Sequence, residues 1–415
     1  MTYTPYLDWI DGQAAAMETR LLAWAEINSG SRNRDGLVRM CTALEEAFAP
    51  LADETEVLSL PPLREIADDG AVKEVPLGPA LRIVKRPDAA RRVLLVGHMD
   101  TVYGANHPFQ SCRDLGDGRI NGPGVADLKG GLVVMLAALQ AFENSPYADR
   151  LGWEVLINPD EEIGSPGSAP LLARSAAAAD VGLVFEPSLP DGTLVGARKG
   201  SGNFTVVVRG RAAHAGREHH LGRNAVAALA RGVAAIDGLN GARPNVTFNV
   251  GRMVGGGPVN VLPDLALARL NVRMAAAEDT AWIEGELARI VAELDAAEGF
   301  SASLSGGFSR PPKPMNPGVQ GLFDFLKDCG GALGLDLGLR STGGCCDGNN
   351  LAAAGLPNID TLGVRGGQIH SIDEFVILES LVERARLSAL ALMRMAAGEF
   401  DWPARPRQPE LESVK

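Results

Sequence analysis

Short apolar runs that end beside a histidine or a carboxylate are the feature that most constrains this chain. They are residues 91–96 before Gly97-His98-Met99-Asp100, residues 153–158 before Pro159-Asp160-Glu161-Glu162, and residues 181–185 before Glu186. Such runs are typical of buried strands. Because ligands bind at the carboxyl ends of strands in open α/β sheets, we expect these polar side chains to meet at one sheet edge. The repetition makes a metal site the leading hypothesis.

The length and the charge of the chain limit its architecture and its partners. With 415 residues, it is too long for one comfortable hydrophobic core, so we expect two domains. Its formal net charge of −12 argues against nucleic-acid and membrane partners, which favour basic surfaces. We see no membrane span and no signal peptide, and we expect a cytoplasmic protein with free cysteine thiols. The tail from Asp401 is expected to be poorly ordered.

Helical and strand-like segments alternate in the first and last parts of the chain. Helices are predicted over 14–28, 36–50, 128–142, 317–333 and 376–396, and strands over 81–85, 93–97, 153–158, 181–185 and 358–363. This alternation predicts an α/β fold with a mixed, mostly parallel sheet flanked by helices.

The pattern changes near residue 200. Strands are predicted over 204–209, 247–253 and 265–274, and helices over 224–237 and 280–297. This β-α-β-β-α order resembles a small α+β sandwich. We therefore expect residues 200–311 to be inserted into a discontinuous catalytic domain formed by residues 1–199 and 312–415. Hinges are expected near residues 199–201 and 310–314.

Two histidines and three carboxylates are the candidate metal ligands. They are His98, Asp127, Glu162, Glu186 and His370. This donor set suits zinc or a comparable first-row metal better than calcium or magnesium. Two metals that share one bridging carboxylate would use all five residues, and Co²⁺ or Mn²⁺ would accept the same ligands as Zn²⁺. The alternative for each residue alone is a surface charge or a capping group.

Six segments, in order, resemble the M20 family of metallopeptidases, with the strongest likeness to its glutamate carboxypeptidase branch. They are GHMDTV, GPGVADLKGG, NPDEEIGS, FEP, RAAHAG and GGQIHS, within a likeness that extends from about residue 20 to residue 395. The resemblance implies a zinc-peptidase fold, an inserted lid and dimerisation domain, and a homodimer formed through that domain.

The resemblance also implies a role for each residue of the candidate site. His98 and Glu186 would bind one metal, Glu162 and His370 would bind the other, and Asp127 would bridge them. Asp100 would orient His98 through a hydrogen bond. Glu161 would be the general base, taking a proton from the attacking water and passing it to the leaving nitrogen.

His214 and four other residues are candidates on the substrate side. In similar proteins the histidine at the position of His214 reaches the partner subunit's active site and stabilises the oxyanion; the alternative is a cap or interface histidine. Asn260 resembles an asparagine that binds substrate near the carbonyl. Arg273 and Arg310 resemble arginines that meet a substrate carboxylate, with surface salt bridges as the alternative. Gly344 resembles part of a loop that borders the substrate pocket, where Cys345-Cys346 departs from the family pattern.

These expectations combine into a di-metal amidohydrolase. The substrate would be a small peptide or an N-acyl amino acid with a free carboxylate, including one with C-terminal glutamate. The alternatives are an N-acyl amino acid deacylase of the acetylornithine or succinyl-diaminopimelate type, a dipeptidase, and a non-catalytic binding protein on the same scaffold.

Overall fold

The structure is a computed structural model that describes residues 2–404. The expectation for the tail from Asp401 therefore falls mostly outside the described residues. The helices are α1 Thr4–Asp11, α2 Ala14–Ala25, α3 Arg34–Phe48, α4 Lys129–Glu143, α5 Ala169–Ala177, α6 Ala225–Asp237, α7 Thr280–Asp295, α8 Pro317–Ala332, α9 Asp347–Ala353 and α10 Glu379–Ala396. Across residues 2–404, no helix has the length and hydropathy needed to cross a membrane.

Among the described residues, the strands form one six-stranded sheet, two four-stranded sheets and three two-stranded ladders. They are β1 Glu54–Leu58, β2 Leu63–Ile66, β3 Val72–Val75, β4 Ala80–Lys85, β5 Arg92–His98, β6 Arg113–Gly116, β7 Arg119–Asn121, β8 Gly152–Asn158, β9 Val181–Val184, β10 Leu194–Arg198, β11 Gly200–Arg209, β12 Ala213–His214, β13 Thr247–Gly255, β14 Val261–Leu262, β15 Leu265–Met274, β16 Ser301–Arg310, β17 Leu339–Thr342, β18 Asn358–Ile359, β19 Gly366–Gly367 and β20 Phe375–Ile377.

The large sheet has six strands in the order β1-β4-β8-β5-β9-β18. The strands β8, β5, β9 and β18 run parallel, and β4 and β1 add antiparallel strands at one edge. Alternate residues of β5 enter different hydrophobic cores: Val93 and Leu95 pack with α4, whereas Leu94 and Val96 pack with α5. Because β5, β8 and β9 are covered by helices on both faces, their sequences are continuous apolar runs. The predicted mixed α/β sheet is confirmed.

The second sheet has four antiparallel strands in the order β13-β15-β11-β16. The helices α6 and α7 pack on one face, around a core separate from that of the large sheet. Successive side chains of a strand point to opposite faces, so Phe204 and Val206 enter this core while Asn203 lies on the other face. The predicted α+β sandwich is confirmed.

Two of the elements that differ from the sequence analysis have a clear physical cause. The strand β16 is not predicted, because its Ser- and Gly-rich sequence lacks the β-branched residues typical of strands. It pairs with β11 along its whole length, so the order of the sandwich becomes β-α-β-β-α-β. The strand predicted over 358–363 is reduced to β18, because the chain turns at Thr361, which has a φ of 67°.

A buried carboxylate holds the two segments that connect the sheets. The Oδ1 and Oδ2 atoms of Asp360 accept hydrogen bonds from Arg198 Nη2 and Nε at 2.8 and 2.9 Å, and Oδ2 also accepts from Lys313 Nζ at 2.8 Å. Arg198 and Lys313 also exchange two backbone hydrogen bonds of 2.9 and 3.0 Å. Burial alone would raise the pKa of Asp360, but the charges of Arg198 and Lys313 outweigh it and lower this pKa.

Asn349 in α9 holds the same two segments at a second point. Its Nδ2 atom donates to the carbonyl oxygens of Lys199, at 2.9 Å, and Pro311, at 2.8 Å. Lys199 and Pro311 lie on the two segments, next to β11 and β16 respectively. The larger unit therefore fixes both connections through side chains of its own.

We expect the substitution Asp360→Asn to lower the free energy of unfolding by about 3–5 kcal/mol, because it leaves two buried cations without their anion. Equilibrium unfolding in urea measures this loss. Since the folded-state pKa of Asp360 lies below its unfolded value, the difference from wild type is full above about pH 4 and shrinks as the pH falls further.

The control for this prediction is Asp11→Asn, which removes an ion pair with Arg386 in which both side chains are partly exposed. It should cost no more than about 1 kcal/mol. Equal losses in the two variants would contradict the role given to Asp360.

Candidate metal centre

The carboxyl ends of three neighbouring parallel strands carry the candidate site. His98 is the last residue of β5, Glu161 and Glu162 follow the end of β8 in a short 3-10 turn, and Glu186 follows the end of β9. The sheet order places β5 between β8 and β9. His98 is therefore central, with the acidic residues on both sides of it.

Asp127 lies between the two histidines. Its Oδ1 atom is 3.2 Å from His98 Nε2, and its Oδ2 atom is 3.2 Å from His370 Nε2. The same His370 nitrogen lies 3.1 Å from Glu162 Oε2. One carboxylate therefore presents a different oxygen to each imidazole, which is the arrangement required of a bridging ligand.

Two further carboxylates face His98. Its Nε2 atom is 3.9 Å from Glu186 Oε1 and 4.0 Å from Glu161 Oε2. Donor atoms of His98, Glu161 and Glu186 all lie within 4.8 Å of one another, as do donor atoms of His98, Asp127 and Glu162. The five predicted ligands are thus brought together, and Glu161 lies as near to His98 as Glu186 does.

Asp100 fixes both His98 and the turn that carries Glu161 and Glu162. The His98 Nδ1 atom lies 3.0 Å from the Asp100 carbonyl oxygen and 3.3 Å from Asp100 Oδ1. Because a carbonyl oxygen only accepts, Nδ1 carries the proton and Nε2 is left as a metal donor. The Asp100 carboxylate also accepts the backbone N–H groups of Glu161 and Glu162, each at 3.1 Å, and the Ser31 hydroxyl at 2.8 Å.

The electrostatics of the cluster fit a bound cation. Burial and the charge of Asp127 raise the pKa of Glu162 to about 8. Burial and the charge of Glu161 raise the pKa of Glu186 well above its usual value. Carboxylates this close together resist ionising together unless positive charge lies between them. The residues present therefore fit divalent metal ions, and the donor set of imidazole and carboxylate suits zinc.

Glu374 is a site residue that the sequence analysis missed. Its buried carboxylate accepts hydrogen bonds from the backbone N–H groups of Gly124, Ala126 and Asp127 at 3.0 to 3.2 Å. Burial, with the charge of Asp127, raises its pKa to about 7. Its position four residues after His370 could have indicated a role in the site. An acidic residue in a polar loop is, however, normally interpreted as an exposed charge.

The structure gives Arg310 several protein partners. Its Nη2 atom lies 2.8 Å from Glu161 Oε1 and donates to the Glu161 carbonyl oxygen at 2.7 Å and to Ser165 Oγ at 2.9 Å. Its Nη1 atom donates to the Cys345 carbonyl oxygen at 3.2 Å. The predicted contact of Arg310 with a substrate carboxylate stays a prediction, since its side chain is 6% exposed and already paired.

Arg273 lies near the loop that contains Gly344. Its Nε atom donates to Asn271 Oδ1 at 2.8 Å, and its Nη1 atom lies 2.9 Å from Cys345 Sγ. Gly344 is exposed, and a side chain added there would first approach Arg198, 3.7 Å away. Arg273, Arg310 and Cys345 therefore converge beside the turn that carries Glu161 and Glu162, with half-buried Arg273 the more accessible of the two arginines.

His214 and Asn260 lie together on the inserted unit. His214 pairs with Val261 in the β12–β14 ladder, and the Ala215 N–H group donates to the Asn260 carbonyl oxygen at 2.9 Å. Both residues are exposed. Backbone N–H groups of Gly216 and Arg217 donate to His214 Nδ1 at 3.2 Å each, so Nε2 carries the proton and could donate it in a hydrogen bond.

Comparisons with known proteins agree with this geometry. A model of the peptidase family M20/M25/M40 matches residues 94–394. Carboxypeptidase G2 of Pseudomonas sp. (strain RS-16) is 32% identical over 321 residues, which are 74% of this chain and 75% of that protein. Succinyl-diaminopimelate desuccinylase of Stutzerimonas stutzeri (strain A1501) is 30% identical over 309 residues, or 69% of this chain and 78% of that protein.

A solved structure shows the same fold. The M20 family metallo-carboxypeptidase Sso-CP2 of Sulfolobus solfataricus superposes with a TM-score of 0.70 at 16% identity, covering 92% of this chain and 99% of the other. The family match spans all five candidate ligands. The chain therefore belongs to the peptidase family M20/M25/M40 and is a metallopeptidase that resembles carboxypeptidases in sequence.

Proposed function

We propose that this enzyme hydrolyses an amide bond next to a free carboxylate. The substrate is a small peptide or an N-acyl amino acid, and compounds with a C-terminal glutamate are included. The position of Asp127 carries the proposal, because its two oxygens each lie 3.2 Å from a different imidazole. Such a carboxylate can serve two metal ions at once.

We assign five residues to two metal positions. His98, Asp127 and Glu186 would hold the first ion, and Asp127, Glu162 and His370 would hold the second. Zn²⁺ is the proposed ion at both positions, with Co²⁺ or Mn²⁺ as alternatives. Ions bound here would supply Lewis acidity toward the amide carbonyl and lower the pKa of water.

Glu161 is the proposed general base. The backbone N–H groups of Glu161 and Glu162 are anchored on Asp100, and Arg310 holds the Glu161 carboxylate at 2.8 Å. The side chain is thus fixed where it can take a proton from water and return it to the leaving nitrogen. Adjacent residues of a turn point in different directions, so Glu162 can bind metal while Glu161 moves the proton.

On the substrate side, Arg273 is the proposed partner of the free carboxylate, since a guanidinium binds a carboxylate through two hydrogen bonds. Asn260 would bind near the reacting carbonyl, and Gly344 would line the pocket. Sequence likeness to both a carboxypeptidase and a desuccinylase supports amide hydrolysis of either type. Deacylation of an N-acyl amino acid is therefore the second candidate activity.

We propose that residues 200–311 form a lid that also joins two copies of the chain in the cytoplasm. A cleft of about 1270 Å³ separates the β2–β3 hairpin from the face of the second sheet that α6 and α7 do not cover. It reaches Gly164, next to the turn that carries Glu161 and Glu162. An exposed groove lined by Val233, Phe248 and Met253, between α6 and the edge strand β13, supports pairing through this unit. His214 would then act in the partner's site.

The substitution Glu161→Gln should leave metal content unchanged and lower kcat by about 10²- to 10⁴-fold, because the amide cannot accept the proton. Elemental analysis of the purified protein and steady-state kinetics measure the two effects. Glu154→Gln is the control, since Glu154 is also a buried carboxylate but pairs with Arg82 and Arg92 away from the site. A Glu161→Gln enzyme with the wild-type rate would refute the assignment.

Mixing His214→Ala and Glu161→Gln subunits tests the action of His214 across the dimer. Each variant alone should be nearly inactive. A randomly exchanged 1:1 mixture should recover about a quarter of the wild-type rate, because about half of its dimers are mixed and each mixed dimer has one complete site of two. Exchange of subunits is followed by native mass spectrometry. Mixed dimers without recovered activity would place His214 in its own subunit's site, whereas an active His214→Ala homodimer would place it outside catalysis.

Substrates with and without a free carboxylate test the role of Arg273. We expect kcat/KM for a primary amide to fall by about 30-fold or more relative to the acid, since a buried charge pair is lost. Arg273→Ala should shrink this difference. Equal rates on acids and amides would argue against a carboxylate pocket. Screening N-acyl glutamates and N-succinyl diamino acids by mass spectrometry separates the carboxypeptidase activity from the deacylase activity.

A further inference from the structure

We infer that Glu374 is a positioning residue that holds Asp127 and His370 in register and thereby controls metal affinity at the second position. This inference rests on the proposed function, because it needs the position formed by Asp127, Glu162 and His370 to bind an ion. Glu374 itself would not touch the ion or the substrate.

The contacts of the Glu374 carboxylate are with the loop that carries Asp127. Its Oε1 atom accepts the N–H groups of Ala126 and Asp127, each at 3.0 Å, and its Oε2 atom accepts the N–H group of Gly124 at 3.2 Å. Gly124 has a φ of 74°, which favours glycine. Because the carboxylate binds the N–H group of the bridging residue itself, its position sets the position of Asp127.

The main chain of Glu374 joins the same loop. Its carbonyl oxygen accepts hydrogen bonds from Asn121 Nδ2 at 2.7 Å and from the Gly122 N–H group at 3.3 Å. The next residue, Phe375, pairs with Asn121 in the ladder between β20 and β7. Both ends of this residue are therefore tied to the start and the end of the loop.

Tyr103 extends the arrangement to His370. Its hydroxyl lies 2.8 Å from Glu374 Oε2 and 2.7 Å from the carbonyl oxygen of Ser371, the residue after His370. His370 has a half-exposed side chain and a φ of 63°. Since this imidazole is not enclosed by the core and its backbone is in the left-handed region, its placement depends on the turn that Tyr103 and Glu374 hold.

Asp100 and Glu374 support different residues, although the two metal positions would share Asp127. Asp100 contacts His98 and the backbone of Glu161 and Glu162, whereas Glu374 contacts Asp127 and the turn after His370. His98 makes its own contacts with Asp100 and does not depend on Glu374. Loss of Glu374 should therefore weaken the second position much more than the first.

The test is Glu374→Gln, which keeps the shape of the side chain but replaces one acceptor oxygen by an NH₂ group that faces hydrogen-bond donors. Titration of metal-stripped protein with ZnCl₂ in a calorimeter should show two ions bound in the wild type. In the variant, one ion should bind about 10- to 100-fold more weakly, and the other should be affected much less, because only Asp127 among its ligands contacts Glu374. The absorption spectrum of the Co²⁺-loaded variant should change for one of two ions.

Two further variants keep the test decisive. Glu154→Gln, at a carboxylate that is 3% exposed against 1% for Glu374, controls for the general cost of altering a buried acid and should bind both ions normally. Tyr103→Phe removes the hydroxyl that links Glu374 to Ser371. We expect it to weaken metal binding at the second position by a smaller factor than Glu374→Gln does. It also provides the test if Glu374→Gln does not fold.

The outcomes distinguish this inference from the function on which it rests. Wild-type affinities and an unchanged Co²⁺ spectrum in both Glu374→Gln and Tyr103→Phe would overturn the positioning role while leaving the di-metal proposal intact. Equal weakening of both ions would also overturn it, since the support would then not be selective. A wild-type protein that binds fewer than two ions would instead overturn the proposed function.

Discussion

Confining negative charge at the buried ends of three strands is the constraint on which the rest of this structure depends. Asp127, Glu161 and Glu186 are each less than 10% exposed, and burial of unpaired carboxylates is strongly unfavourable. Three kinds of group stabilise the buried carboxylates of this region. They are the backbone N–H groups that donate to Asp100 and Glu374, the guanidinium of Arg310, and two imidazoles. The raised pKa values of Glu162 and Glu186 show that charge remains to be compensated, so the folded chain presents a site that favours cations.

The sequence predicts the large sheet well because its central strands are buried on both faces. The strand predicted over 93–97 is Arg92–His98, and the strand predicted over 153–158 is Gly152–Asn158, since continuous apolar runs leave little choice of secondary structure. By contrast β16 is half-buried, and six of its ten residues are Ser or Gly. Pairing with β11, roughly 100 residues earlier, decides the conformation of β16. The local sequence of β16 does not indicate this pairing.

The candidate site divides in the same way. Most of its candidate ligands follow strand ends or a Gly-rich loop, so the sequence indicates them. In the structure each has a donor atom 3.1 to 3.9 Å from a donor atom of another. The supporting contacts are invisible in the sequence, because Glu374 is 247 residues from Asp127 and Arg310 is 149 residues from Glu161. Nothing in a polar loop distinguishes a carboxylate that will accept three backbone N–H groups from one that faces water.

Arg310 and Lys313 connect Glu161 to the segments that link the two sheets. Arg310 ends β16 and binds both the carbonyl and the carboxylate of Glu161, while Lys313, three residues later, binds Asp360 with Arg198. A rotation of the inserted unit about these segments would move Arg310 relative to Lys313. The Glu161 turn is anchored independently on Asp100, so such a rotation must break the Arg310–Glu161 contact before it displaces the base. The carboxylate proposed as proton acceptor is therefore held by the large sheet, and its arginine partner by the unit proposed to act as a lid.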